Sequence, residues 1–181
     1  KGQPGSREDA FKYAGMLSAT THVSDAKAFV AWLDAQKAVD TGRKVGTTGY
    51  CMGGAMVFRT AASLPERIGA GCSFHGGRLT TNDADSPHLL VPKMKASMLV
   101  AIADNDDQKE PESKDILRKA FDEAKVPAEI DLLKTLRQEE EARVKKAFAS
   151  VKLGVTRNRD VRLDVFRRRG VGISQRGRTP G

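Results

Sequence analysis

Cys51 is the first residue in this chain whose setting suggests chemistry. It stands in GYCMGG, residues 49–54, between the short apolar run KVGTTGY and the segment MGGAMVFRTAASL. Gly49 and Gly53 flank it at the spacing G-x-C-x-G. In that spacing the first glycine suits a tight turn and the second a close helix–sheet contact. A nucleophile elbow needs this pattern, here with sulfur in place of oxygen. The positive end of a following helix favours a thiolate. The Met52 N–H is placed to donate to an oxyanion. The same hexapeptide also fits a small buried cysteine in a glycine-rich corner between strand and helix.

The other reactive types are few. Carboxylates cluster in ADNDD, as Asp104, Asp106 and Asp107, and the only histidines are His22, His75 and His88. None of these residues, with Cys51 and Cys72, shows the spacing of a metal site, so neither metal nor other cofactor is expected. Cys72 alternates with apolar neighbours and reads as core.

The elements that must position these residues follow from periodicity. Residues 1–23 lack an apolar period and read as irregular. A helix is expected over 24–38, capped by Ser24 and carrying Phe29, Val30 and Leu33 at helical spacing. A strand over 44–50 leads into a helix over 52–64, which Pro65 ends. A strand over 67–74 is followed by a long loop over 75–90. A strand over 97–103 is apolar on both faces, as in a parallel sheet. DNDDQKEP reads as a loop, with Pro111 opening a helix over 112–125. Its apolar face would hold Ile116, Leu117, Ala120, Phe121 and Ala124. A strand over 126–133 completes the series. Alternating strands and helices define an α/β chain with a parallel sheet of three to four strands and flanking helices. Chemistry in such sheets sits at the carboxyl ends of the strands. Cys51, His75 and Asp104 to Asp107 all fall just past strand ends.

The order VGTTGYCMGGAMVFRTAASLPERIGAGCSFHGG, then ADSPHLL, then MLVAIADNDDQKEP, a helix and VPAEID resembles the dienelactone hydrolase family of the α/β-hydrolase superfamily. The resemblance covers residues about 24 to 131. It implies a partial α/β-hydrolase fold, a Cys–Asp–His triad, and small esters or lactones as substrates. It assigns the nucleophile to Cys51, the oxyanion donor to the Met52 N–H, and the acid to Asp106, with Asp107 next. The family histidine follows the next strand in a segment like Y-x-G-x-x-H-G-F. Here that stretch reads KTLRQEEEARVKKAFASVKLG and holds no histidine. His75, in SFHGG, reads as a pocket or core residue, and His88 as a loop residue. The early strands that the resemblance implies, and the loop carrying the second oxyanion donor, would precede residue 1 or be lost.

The net charge of +8 is uneven. Residues 1–131 hold 17 Lys+Arg and 18 Asp+Glu, whereas residues 132–181 hold 14 and 5. The main body, residues 1–133, therefore gives no reason to expect a polyanion partner. Residues 134–153 read as an amphipathic helix opened by Thr135 and Gln138. Residues 154–181 read as a disordered basic tail, whose eight arginines lie within 155–181 without a lysine. Such an arm suits nucleic acid in a binding-protein reading of the chain, although Phe166 is its only aromatic. The same bias also fits a splice or frame change near residues 131–135. There is no apolar run near 18 residues, so no membrane span is expected. The start KGQPGSREDA has no apolar signal region and reads as that of a fragment or processed form. Two cysteines make no disulfide framework, which suits a reducing, cytoplasmic setting. Oligomeric state is not legible in the sequence.

Overall fold

The computed structural model describes residues 5–133. The expected helix over 134–153 and the basic tail over 154–181 lie outside the described residues. Four strands, β1 (Val45–Tyr50), β2 (Ile68–Phe74), β3 (Ser97–Ala103) and β4 (Ala128–Leu133), form one parallel sheet in the order β1-β2-β3-β4. The helices are α1 (Arg7–Gly15), α2 (Ala19–Asp34), α3 (Gly53–Ser63), α4 (Asp104–Lys109) and α5 (Ser113–Ala124), with a 3₁₀ turn over Pro87–Lys93. None of these helices is long and apolar enough to cross a membrane.

The main core lies on one face of the sheet. Val57, Phe58 and Ala61 of α3, Leu117 and Phe121 of α5, and Val91 of the 3₁₀ turn meet Ile68, Met98, Val100 and Ile102 of the strands. Phe58 and Phe121 join the two helices edge to face, with ring centroids 5.9 Å apart. The other face carries a smaller buried cluster of Cys72, Phe74, Leu99 and Ala101. Burial on both faces explains why β2 and β3 read as continuous apolar runs rather than alternating ones.

Three expectations about the elements fail for physical reasons. The stretch expected to be irregular holds α1 and the start of α2 within its described residues, 5–23. No residue of α1 is buried, so no apolar period marks it. It rests on Ser6, which caps Asp9 N–H at 3.0 Å, and on Glu8 and Asp9 at its positive end. The second helix starts at Ala19 rather than at 24, because Ser18 and not Ser24 is the cap. Ser18 Oγ accepts from Thr21 N–H, and Thr21 Oγ1 accepts from Ser18 N–H. This capping box carries Thr where Glu or Gln is the usual signature. DNDDQKEP is not all loop, since Asp104–Lys109 form α4. Three aspartates sit in its first turn, and Gln108 donates to Asp104 at 2.8 Å.

Side-chain placement departs in smaller ways. Phe29 points outward while Val30 is buried, and Ile116 stays largely exposed beside buried Leu117. Pro111 precedes α5 by two residues and does not open it. The C-terminal end of α2 is tied to the base of the sheet by Arg67, whose Nε donates to Asp34 at 3.0 Å and whose guanidinium also reaches the Arg43 carbonyl.

His22 sets a condition on how α2 seats against α3. Both its ring nitrogens are shut from water and lack a hydrogen-bond partner. Burial first, and then the Arg59 cation of α3, hold its imidazole below the usual histidine range, with Asp25 acting in the opposite direction. Arg59 is itself 3.7 Å from the Asp85 carboxylate. The fold therefore favours the neutral ring over the charged one, whereas the unfolded chain takes up a proton below about pH 6.5. Its contribution is present above that pH and is lost as pH falls through the lower folded value. Urea unfolding at pH 8, 6.5 and 5 is expected to show wild type losing more stability on acidification than His22→Leu. Equal losses would exclude a neutral, buried role for this ring.

Candidate active site

The site is built at the carboxyl rim of the sheet. β1 ends at Tyr50 and α3 begins at Gly53, so the chain reverses over two residues. Cys51 makes that reversal with φ of 53°, a left-handed backbone that a residue bearing a side chain rarely adopts. Such strain tends to persist where the surroundings over-determine it. Here Cys51 N–H donates to the Phe74 carbonyl at 3.0 Å, and Gly54 N–H donates back to the Cys51 carbonyl at 3.0 Å. The Cys51 side chain is exposed. Helix α3 starts beside it with no side-chain cap. Of its first N–H groups, that of Gly54 is taken by the Cys51 carbonyl, and no side chain caps the others.

The glycines act differently from the sequence expectation. A Cβ on Gly49 would run into the Gly53 carbonyl and come within 2.9 Å of Val57. Gly49 therefore serves close approach of strand and helix. Gly53 faces open space, with nothing within 4 Å of a Cβ there, and does not make the expected helix–sheet contact. Gly54 makes it instead: a Cβ would lie 2.5 Å from Ser73 Oγ and 2.7 Å from Gly76 Cα. Ser73 is a site residue that the sequence reading missed. It is fully buried, and its hydroxyl lies between Gly54 and Gly76 without a hydrogen-bond partner among the described residues. Its signal was a lone hydroxyl on the same face of β2 as Gly71.

The carboxylates separate by role. Both Asp107 oxygens accept from Lys114 Nζ at 2.9 Å, so that residue is committed to an ion pair. Asp106 is less tied, with Lys109 Nζ 3.9 Å away and an Asn105 amide donating at 3.3 Å. It faces a cleft of about 40 Å³ shared with Gly76, Gly77, Lys109, Ser113 and Leu117. A space of that size suits about one or two waters rather than an ester.

The three histidines are dispersed. His88 Nδ1 pairs with Ser86 Oγ at 2.8 Å, and His22 lies between α2 and α3. His75 follows β2 directly, with φ of 40°, and its N–H donates to the Ala101 carbonyl at 2.8 Å. Its ring tilts against Tyr50 with centroids 6.3 Å apart. That places it at the rim, half-buried. No hydrogen bond joins Asp106 to a histidine, or Cys51 sulfur to any side chain, among the described residues. Cys51 and Asp106 thus share a rim without forming a linked triad. Among the described residues no three His, Cys, Asp or Glu side chains are grouped to hold a metal ion.

Comparison with known proteins identifies the class. The sequence profile of the dienelactone hydrolase family matches residues 1–150. The chain belongs to that family, and the match is wider at both ends than the stretch legible by eye, residues about 24 to 131. No curated protein matches the chain. Among solved structures, a dienelactone hydrolase-like promiscuous phosphotriesterase, P91, from metagenomic libraries is 28% identical with a TM-score of 0.53, over 67% of this chain and 47% of that one. A putative dienelactone hydrolase from Klebsiella pneumoniae is 18% identical with a TM-score of 0.58, over 70% of this chain and 60% of that one. A putative dipeptidyl aminopeptidase IV from Bacteroides ovatus shares the fold at 16% identity and a TM-score of 0.62, over 74% of this chain and 23% of that one. This chain therefore spans about half the length of the phosphotriesterase structure.

Two expected outcomes follow from the site geometry. Brief iodoacetamide treatment and mass spectrometry should label Cys51 first. Cys72 is sealed in the sheet, and burial pushes its thiol up to about 12. Preferential labelling of Cys72 would overturn the elbow. In thermal melts, Gly49→Ala and Gly54→Ala are each expected to cost about 1–3 kcal/mol by overpacking, whereas Gly53→Ala should be neutral or slightly stabilising. Equal losses at all three positions would contradict the contacts described.

Proposed function

We propose that this chain is a thiol-dependent hydrolase acting on a small carboxylic ester or lactone, with Cys51 as nucleophile. The observation that carries the reading is Cys51 itself, exposed and left-handed at the uncapped start of α3. Cys51 sulfur attacks the carbonyl carbon, and a thioester forms as the alcohol leaves. The Met52 N–H donates to the oxyanion, since no described group occupies it. Asp106 is the acid of the site, because Asp107 is held by Lys114.

The family reading also sets the expected efficiency. The stretch that follows β4 in the sequence, from residue 134 on, holds no histidine to act as the family's base. Working without a general acid–base group at that position lowers rates by about 10²–10⁴. The thioester should therefore form faster than water removes it.

With p-nitrophenyl acetate, the expected result is a burst of about one equivalent of p-nitrophenol, then slow release, with an acetyl group on Cys51 by mass spectrometry. Cys51→Ala should abolish the burst. An undiminished burst in that variant would refute the nucleophile assignment. A phosphotriester bearing the same leaving group is the natural second probe, given the activity named for the 28% identical structure. A phosphoryl adduct on Cys51 would extend the substrate class to phosphorus esters.

A further inference from the structure

We propose that His75 carries the proton for Cys51 in this chain, taking it from the thiol during attack and returning it to the leaving alkoxide. The inference rests on the nucleophile assignment above. It starts from register: Tyr50 pairs with Phe74 across the β1–β2 ladder, so Cys51 and His75 are the next residues along the two neighbouring strands. Neighbouring strands run about 4.8 Å apart. The hydrogen bond from Cys51 N–H to the Phe74 carbonyl carries the ladder up to this point and fixes Cys51 against the peptide that leads into His75.

Backbone conformation sets these two residues apart at the rim. Cys51 and His75 both have a left-handed φ, 53° and 40°. Each is therefore turned out of the regular strand path where the sheet ends. The His75 imidazole lies against Tyr50, the residue before Cys51, and among the described residues no hydrogen bond holds it in one orientation. Its main chain, by contrast, is fixed by the bond to Ala101. The ring can turn about its own side-chain bonds while its base stays put.

Elimination points the same way. A proton carrier near neutrality is most often histidine. His88 is bonded to Ser86, and His22 is enclosed between α2 and α3. His75 is the one histidine of the chain at the Cys51 rim. Its ring touches Tyr50, and the titratable groups that follow the two neighbouring strand ends are Cys51 after β1 and Asp104 and Asp106 after β3. Asp107 is already held by Lys114.

The step balances without a further reactant. The S–H proton passes to an imidazole nitrogen as the S–C bond forms. The imidazolium then gives that proton to the alkoxide as the C–O bond breaks, leaving a thioester and a free alcohol. p-Nitrophenolate leaves without help, whereas an alkoxide needs the proton. The effect of His75 should therefore grow as the leaving group becomes more basic.

The variant of choice is His75→Asn, because asparagine tolerates the left-handed backbone that His75 adopts. The full-length chain is assayed by single-turnover acylation of Cys51 from pH 5 to 9, with p-nitrophenyl acetate and with ethyl thioacetate's oxygen analogue, ethyl acetate, followed by mass spectrometry. Relative to wild type, His75→Asn is expected to alter the pH profile of acylation. It should also slow acylation by about 10²-fold with ethyl acetate and distinctly less with p-nitrophenyl acetate. Unchanged rates and pH profile with both esters would overturn the proposal. A uniform loss with an unaltered profile would overturn it too, since that is a structural effect. NMR titration of the His75 ring in wild type and Cys51→Ala gives a readout independent of the variant's folding. A shift between the two supports coupling, and superimposable curves overturn it. Failure of the nucleophile reading is distinguished by a burst that survives Cys51→Ala.

Discussion

The rim of this protein depends on backbone meeting backbone where side chains would ordinarily stand. Gly49 lets the end of β1 lie against the first turn of α3, and Gly54 lets that turn lie against the β2 exit at Gly76. Ser73 fills the small remaining space between the two glycines. Close packing of this kind transmits small volume changes directly, since protein interiors have little room to absorb them. The left-handed Cys51 backbone is the outcome. Strand and helix approach so closely that the connecting residues have little choice of conformation.

Local electrostatics settles several elements that hydrophobic patterning leaves open. α1 and α4 bury no residue, and both begin with carboxylates at the positive end of the helix. Lys114 of α5 meets Asp107 of α4 through both carboxylate oxygens, and so steadies the short helix that also bears Asp106. At the other end of the sheet, Arg67 links α2 to the start of β2 through Asp34. Hydrogen bonding from Arg67 holds the Asp34 carboxyl below its ordinary range. These pairs are partly exposed and are best understood as orienting devices rather than as large sources of stability.

β2 and β3 were legible because each is a short apolar run between turn signals, and β3 falls at residues 97–103 as expected. Cys51 was legible because glycines on both sides mark a tight strand-to-helix reversal. What was not legible has common causes. α1 and the first turn of α2 rest on caps, which leave no periodic trace. Gly53 and Gly54 are adjacent and chemically identical, so only the direction of each missing Cβ shows which one touches the sheet. Asp106 and Asp107 could be told apart only once Lys114, seven residues beyond Asp107, was seen to fold back onto it. Ser73 was hidden because burial of a hydroxyl depends on neighbours remote in sequence.

The position of β1 has a consequence for motion. Among the described strands it pairs only with β2, whereas β2 and β3 are each held on both sides. Cys51, the proposed nucleophile, thus hangs from an edge strand of the described sheet, one that contains two glycines and no large aliphatic residue beyond Val45. Its attachment runs through a single ladder and through the helix above it. Sub-global opening of a protein proceeds from such least-supported units. In this fold, detaching β1 would dismantle the elbow while β2, β3 and β4 kept their mutual pairing. The reactive end of the molecule and its structural centre are therefore separable in free energy, with the boundary running between Gly49 and Ser73.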